Sequence, residues 1–252
     1  MDLKKLVIEE FSGINAQRLY RKKANEGLWF SEEHFIKKYF KRKGRVLDVG
    51  CGTGRTTMPL AKMGFNVIGL DLTPMMVKAA REIARKHNLN IPYVQGDATH
   101  LKFKDDTFDY ALFSNQGSTQ IPGKENRAKA LREVKRVLKP GGIFIFTAHP
   151  RHFFSEYFWF WRWQWIKQFI LKPIGWKVDE IEYGDRFFDR ETKSEGKTYK
   201  TKQYIHIPAI SEVSQAVRES GLGLIEVNGS LHVRKGDTAK HPPVFYICKK
   251  KG

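Results

Sequence analysis

Arg45-Val-Leu-Asp48-Val-Gly50-Cys51-Gly52-Thr-Gly54-Arg55 decides the fold of this 252-residue chain. A short apolar run ends in a carboxylate. A glycine-dense loop follows, and a helix pattern begins at Thr56. Glycines let the backbone approach a ligand closely at the mouth of a parallel sheet, where such folds bind nucleotides. A dinucleotide site would require G-x-G-x-x-G, so that a helix N-terminus receives the pyrophosphate. Counting from Gly50, the second glycine falls at Gly52, but the third position is Arg55 and the glycine comes one residue early, at Gly54. Asp48 beside a pyrophosphate would repel it, whereas it suits a ligand carrying an ammonium group. No Gly-Lys-Ser/Thr follows, so a Walker-type phosphate loop fails as well.

The motifs downstream continue in order. Asn66-Val-Ile-Gly-Leu-Asp71 reads as a second strand ending in an acid, 23 positions after Asp48 (71 − 48). A carboxylate at about this distance accepts ribose hydroxyls in nucleotide-binding α/β sheets. Thr73-Pro74 reads as an N-cap and first helical turn. Then come Pro92-Tyr-Val-Gln-Gly-Asp97-Ala98, Phe108-Asp-Tyr-Ala-Leu-Phe-Ser114-Asn115, and Leu131 through Pro140-Gly141-Gly142.

Together these stretches resemble the class I S-adenosylmethionine (SAM) dependent methyltransferases, with D-x-G-x-G-x-G as motif I. The resemblance covers roughly residues 44–150 and resumes near 209. It implies SAM as cofactor, held by Asp48, Gly50, Cys51, Gly52 and Gly54, by Asp71 and Leu72, by Asp97 (toward the adenine amino group) and Ala98, and by Ser114. It also implies a Rossmann-like α/β fold: a seven-stranded, mostly parallel sheet with helices on both faces and an antiparallel edge.

Alternating strand and helix patterns agree with a parallel sheet covered on both faces. Strands are expected near 45–50, 66–71, 92–97, 108–115, 142–149, 222–229 and 244–249. Helices are expected near 55–63, 74–88, 124–138 and 209–220. Residues 1–43 read as a helical cap on a single domain, with apolar residues at helical spacing. In the family, such a cap lies over the SAM pocket, with Tyr20 and Trp29 as candidates to close it. The core is 44–150 with 209–252, and 151–208 is an insertion placed where the family builds its substrate lid. That insertion holds Trp159, Trp161, Trp163, Trp165 and Trp176, five of the six tryptophans. Alternation from Trp159 to Trp165 favours a strand, and the length of the apolar run favours a helix. A hairpin is expected around Ser194-Glu195-Gly196.

The formal charge is +18, and residues 1–45 carry 12 basic against 6 acidic side chains. Such an excess points to a polyanionic partner, although it also serves solubility alone. Two cysteines, Cys51 and Cys248, build no disulfide framework. With an N-terminus that opens no apolar signal segment, they suggest a cytoplasmic protein. No clustered Cys/His spacing indicates a metal.

Methyl transfer from a sulfonium is an in-line displacement, so alignment and water exclusion matter more than a catalytic triad. Asn115, after the fourth strand, and His149, after the fifth, are the catalytic candidates, with His206 of the lid as another proton acceptor. Base-amine enzymes carry [D/N/S]-P-P-[Y/F/W] at Asn115; this chain has the Asn without the prolines or the aromatic. The leading expectation is methylation of a base nitrogen in RNA, ribosomal or transfer, with the aromatic lid stacking on an unpaired base. The alternatives are a small-molecule or lipid-associated acceptor with peripheral membrane contact, and a non-catalytic SAM- or RNA-binding protein. The sequence carries no indication of oligomeric state.

Overall fold

The computed structural model describes residues 2–152, 155–194, 197–237 and 240–252. Phe153, Phe154 and the 195–196 turn of the expected hairpin lie outside the described residues. Three helices open the chain: α1 (Leu3–Ser12), α2 (Ile14–Lys23) and α3 (Phe30–Tyr39). The Asp2 carboxylate caps α1 by accepting from the Lys4 and Lys5 amides. Glu32 begins α3 by accepting from the Trp29 amide at 2.7 Å.

The core then alternates through β1 (Arg45–Val49), α4 (Thr57–Lys62), β2 (Asn66–Asp71), α5 (Pro74–Lys86), β3 (Tyr93–Gln95), β4 (Phe108–Phe113), α6 (Lys124–Val137) and β5 (Leu138–Ala148). Within 151–208 lie α7 (Phe158–Ile166) and the hairpin β6 (Asp185–Ser194) and β7 (Lys197–His206). The chain closes with α8 (Ile210–Glu219), β8 (Leu222–Asn228) and β9 (Val244–Lys250).

Seven strands form one sheet in the order β3-β2-β1-β4-β5-β9-β8. Only β9 runs against the others, pairing antiparallel with β5 and β8. The order reverses between β1 and β4, which leaves a crevice at their carboxyl ends. Apolar clusters cover both faces. On one, α6 and α8 pack on Phe144, Phe146 and Tyr246. On the other, Phe35 and Ile36 of α3 pack on Ile145, Phe245 and Ile247.

The tryptophan-rich run is a helix. Trp161 and Gln164 are buried one turn apart, while Trp159, Trp163 and Trp165 face outward. The sequence alternation therefore does not reflect two sheet faces. The β6–β7 hairpin packs on α1, with Leu3 and Val7 against Tyr204 and Gln203 donating to Glu10 at 2.6 Å.

Phe35 is fully buried with its ring 4.8 Å from Phe245. Truncating it removes the main contact between α3 and the sheet. Phe35→Ala should cost about 3–5 kcal/mol, read as a lower urea midpoint at unchanged slope; a loss under about 1 kcal/mol would show that α3 contributes little to the core.

Candidate functional site

The loop after β1 is held from two sides. Below it, Asp48 Oδ2 accepts from the Thr56 and Thr57 hydroxyls at 2.6 Å each. Above it, Asp71 Oδ2 accepts from the Gly52 amide at 2.9 Å, and its Oδ1 from the Thr73 amide at 2.8 Å. Gly50, Gly52 and Gly54 all adopt positive φ, at 61°, 54° and 92°. A Cβ on Gly50 would lie 2.6 Å from the Phe113 ring, and one on Gly54 2.5 Å from the Tyr93 hydroxyl. At Gly52 nothing lies nearer than the Tyr20 ring at 4.0 Å, so this part of the loop faces open space.

That space is a cavity of about 480 Å³, a size suited to a cofactor. Gly50, Gly52, Asp71, Leu72, Asp97, Ala98, Ser114 and Asn115 all line it, with Leu3, Lys4 and Val7 of α1 and Tyr20 of α2 on the far wall. Asp97 Oδ1 accepts from the Thr99 amide and hydroxyl, both at 2.8 Å, and its Oδ2 meets Lys4 Nζ at 2.6 Å. Burial raises the Asp97 pKa, but the Lys4 and Thr99 bonds outweigh it and hold the carboxyl below its usual range. Burial pushes Asp71 the other way, upward.

Four of the sequence candidates are not on this wall. Asp48 is buried beneath the loop, bonded to α4 and not presented to a ligand ammonium; desolvation pushes its pKa up to about 6. Cys51 packs among Val77, Ala80, Ala84 and Tyr93, where burial lifts its thiol pKa well above normal. Gly54 turns the backbone behind the cavity. His149 follows the last residue of β5. It is exposed and does not line the cavity that holds Asn115. Trp29 is not a closing aromatic either: the Arg55 guanidinium sits over its ring at 4.6 Å.

Arg55 and Glu32 form a buried pair that the sequence reading missed, because the partners lie 23 residues apart with no helical spacing. Both guanidinium nitrogens reach the carboxylate at 2.7 Å, and Ser114 Oγ donates to the same carboxylate. The pair thus ties α3, the glycine loop and the end of β4 together. Just beyond, Asn115 and Gln116 both hold positive φ, at 49° and 56°. Thr147 Oγ1 accepts from the Gln116 amide at 2.9 Å and Thr119 Oγ1 donates to its carbonyl at 2.7 Å. Two consecutive non-glycine residues in this region are strained, as occurs at functional sites.

A second cavity, of about 490 Å³, adjoins the first; Phe113 and Ile121 line both. Its walls are largely apolar, with Leu131 of α6, Phe144 and Phe146 of β5 and Phe169 after α7. Its polar lining includes Thr119, Arg127, Glu182 and His206. Glu182, Asp185 and His206 place ligand-type atoms within 4.8 Å of one another. Asp185 is already occupied by four donors, from His206, Tyr204 and the Ile181 and Glu182 amides.

Two measurements test the loop supports. Asp48 releases its proton near pH 6 when folded and near 3.8 in its unperturbed state. The folded state therefore gains a proton-linked stability that is full below pH 4 and lost as pH rises through 6. The loss amounts to about 3 kcal/mol. Asp48→Asn should lack it, so the stability difference between variant and parent should change by that amount between pH 4 and 7 in urea titrations; a flat difference would refute an elevated Asp48 pKa. Glu32→Gln leaves Arg55 buried without its counter-charge and should cost about 3–5 kcal/mol, read as a lowered calorimetric midpoint; an unchanged midpoint would show that the pair is dispensable.

Comparison with known proteins agrees with this geometry. Residues 46–142 match the methyltransferase domain family. An uncharacterised protein of Methanocaldococcus jannaschii is 36% identical over 143 residues, covering 57% of this chain and 52% of that protein. A demethylmenaquinone methyltransferase of Staphylococcus carnosus is 42% identical over 108 residues, covering 42% and 43%. The chain spans no more than about half the length of these relatives. A SAM-dependent methyltransferase of Methanosarcina mazei has the same fold, with a TM-score of 0.65 at 23% identity over 86% of this chain and 97% of that one. The glycine loop over Asp48, the Asp71 clamp and the strand order thus lie in a stretch, residues 46–142, that matches the methyltransferase domain, on a fold shared with SAM-dependent methyltransferases.

Proposed function

We propose that the protein transfers a methyl group from SAM to an apolar, ring-bearing small molecule held in the second cavity. One observation carries the acceptor class: a largely apolar cavity of about 490 Å³ shares Phe113 and Ile121 with the cofactor-sized cavity. Aliphatic and aromatic walls with a few inner polar groups suit a hydrophobic ring system with one or two polar substituents. The demethylmenaquinone methyltransferase relative is named for an acceptor of this character.

The first cavity fits SAM by its donor and acceptor chemistry. Asp71 would accept the ribose hydroxyls, and Leu72 and Ala98 would flank the adenine. Asp97 would accept from the adenine amino group, with Lys4 as its present partner. The open face of the loop at Gly52 would receive the amino-acid end. Bound SAM supplies a methyl group already activated by a sulfonium. The chain's own task is then to align the acceptor and exclude water. Asn115, two residues after the shared wall residue Phe113, lines the cofactor-sized cavity and would meet the acceptor from that side. α1 and the β6–β7 hairpin cover the site and would keep water out.

A second reading, in which RNA is the acceptor, is favoured by the charge of +18. The exposed Trp159, Trp163, Trp165 and Trp176 would serve it as stacking platforms. These residues would equally suit an interfacial contact with a membrane. No helix among the described residues is long and apolar enough to cross one.

Tritiated SAM with total RNA in one reaction and hydroxynaphthalene acceptors in another separates the readings. Label should enter the extractable aromatic product and not RNA at low salt; the reverse pattern would overturn the small-molecule assignment. Asp71→Ala should weaken SAM binding by about 10- to 100-fold in calorimetry, as expected when a charged acceptor of about 1.5–3 kcal/mol is lost. Unchanged affinity would remove Asp71 from the cofactor site.

A further inference from the structure

The β6–β7 hairpin opens at Asp185 and His206, which are register partners. His206 Nδ1 lies 2.9 Å from Asp185 Oδ1, and both side chains are buried. The Tyr204 hydroxyl donates to the same oxygen at 2.8 Å. The Ile181 and Glu182 amides donate to Oδ2 at 3.1 Å each. Burial alone would raise the Asp185 pKa, but the His206 and Tyr204 bonds outweigh it and hold the carboxyl below its usual range. An ionised carboxylate only accepts, so the Nδ1 facing it carries a proton, and Nε2 is the ring nitrogen that Asp185 does not engage. The ring is confined as well. A Cβ on Gly184 would come within 2.9 Å of His206 Cε1. Ile207 donates its amide to the Gly184 carbonyl at 2.8 Å, which closes the root of the hairpin.

His206 is also a wall residue of the second cavity. We propose that His206 is the general base of this protein, taking the proton from a weakly acidic hydroxyl, a phenol or enol on an apolar ring system, bound in that cavity. Asp185 and Tyr204 are positioning residues. The proposal rests on the reading of the second cavity as the acceptor site.

The step balances. The acceptor O–H bond breaks, and its proton goes to Nε2. The freed oxygen pair forms the new bond to the methyl carbon. The carbon–sulfur bond breaks with its pair on sulfur, so the sulfonium becomes a neutral thioether. The positive charge ends on the imidazolium, where the Asp185 carboxylate stabilises it by a charge-assisted hydrogen bond. The proton then leaves to solvent.

Other charged and titratable groups facing this space would modulate the titration. They are Glu182, which bridges to Arg127 of α6 at 2.9 Å, Lys124 of α6, Tyr183, and Glu212 and Glu219 of α8. Arg127 neutralises one oxygen of Glu182, and Arg151 holds Glu212 at 2.6 Å. Gln215 donates to Glu219 at 2.7 Å, and the second oxygen of Glu182 is buried without a hydrogen-bond partner.

The test uses 4-nitrophenol, a chromophoric phenol, with the full chain and no cofactor. Bound probe should be more ionised in the parent than in His206→Gln by about tenfold in the ionised-to-neutral ratio, with affinity changed less than about threefold. Equal ionisation in both, with binding intact, would overturn His206 as base and leave the cavity reading standing. No binding to the parent, or binding unaffected by Ala130→Phe, which fills the cavity, would overturn the cavity reading and the proposal with it. Nitrogen-15 histidine spectra of the parent give an answer even if His206→Gln does not fold. His206 should show a protonated Nδ1 and a bare Nε2 whose resonance moves on adding the probe; the opposite tautomer, or no movement, would overturn the assignment. In turnover with 1-naphthol, His206→Gln should lower kcat by about 10²- to 10⁴-fold and remove the acid limb of the pH profile, whereas a merely structural role would leave that limb in place.

Discussion

Two buried carboxylates hold the loop on which the rest of the site depends. Asp48 fixes the loop's exit by gathering the Thr56 and Thr57 hydroxyls. Asp71 fixes its crest by taking the Gly52 amide. Between them the backbone runs through three positive-φ glycines, a path that side chains would obstruct at Gly50 and Gly54. The cost of burying Asp48 is visible in its raised pKa. The structure tolerates that cost because hydroxyl donors placed eight and nine residues later meet one carboxylate oxygen. Arg55, the next residue after the glycines, extends the same constraint outward to Glu32 of α3 and Ser114 of β4. The loop is therefore the point at which the sheet, the helical cap and the β4 turn are tied together.

The sheet and the cofactor cavity were legible in sequence because they rest on local signals. Asp71 ends an apolar strand just before Thr73-Pro74, and Gly52 belongs to a regular glycine spacing. Residues chosen by position in a motif were less legible than those chosen by chemistry. Asp48 and Cys51 sit in the motif and point away from the cavity, because a strand end and a tight loop alternate their faces. His149 lies one residue beyond β5, where the strand has ended, and does not line the cavity. The Trp159–Trp165 alternation misleads because nearly every position in that run is aromatic, so period two and period 3.6 are both satisfied. The Asp185–His206 pair could not be found from spacing, since hairpin register, not distance in sequence, brings residues 21 apart together.

Phe113 has two roles that explain the division of the interior. Its ring fills the space a Cβ would take at Gly50 and at Gly117, so the loop after β1 and the turn after β4 both close on it. It also lines both cavities. A wall shared in this way lets the two chambers be shaped by different parts of the chain. The cofactor side is built from the sheet's strand ends and α1. The other is built from α6, α8, the segment after α7 and the root of the hairpin. On the proposed reading, acceptor choice would change by altering 151–208 while Asp71 and the glycines stay in place, which is how one fold hosts many activities.

The cover over the first cavity is held by unequal interactions. Lys4 reaches Asp97, but both side chains are partly exposed, at 54% and 26%, and such pairs contribute about 1 kcal/mol or less. Most of the closure comes from Leu3 and Val7, buried against Tyr204 of the hairpin. Burying a Leu and a Val side chain stabilises by about 1.5–3 kcal/mol each. Tyr204 is also a donor to Asp185. The same side chain thus supports the cap over the cofactor cavity on one side and the Asp185 carboxylate beside His206 on the other. Displacing α1 to admit a cofactor would remove apolar contacts from Tyr204 without touching its hydrogen bond. The polar anchor of the second cavity, Asp185 with His206, lies in the root of the hairpin rather than in α1, so the two cavities rest on separate supports.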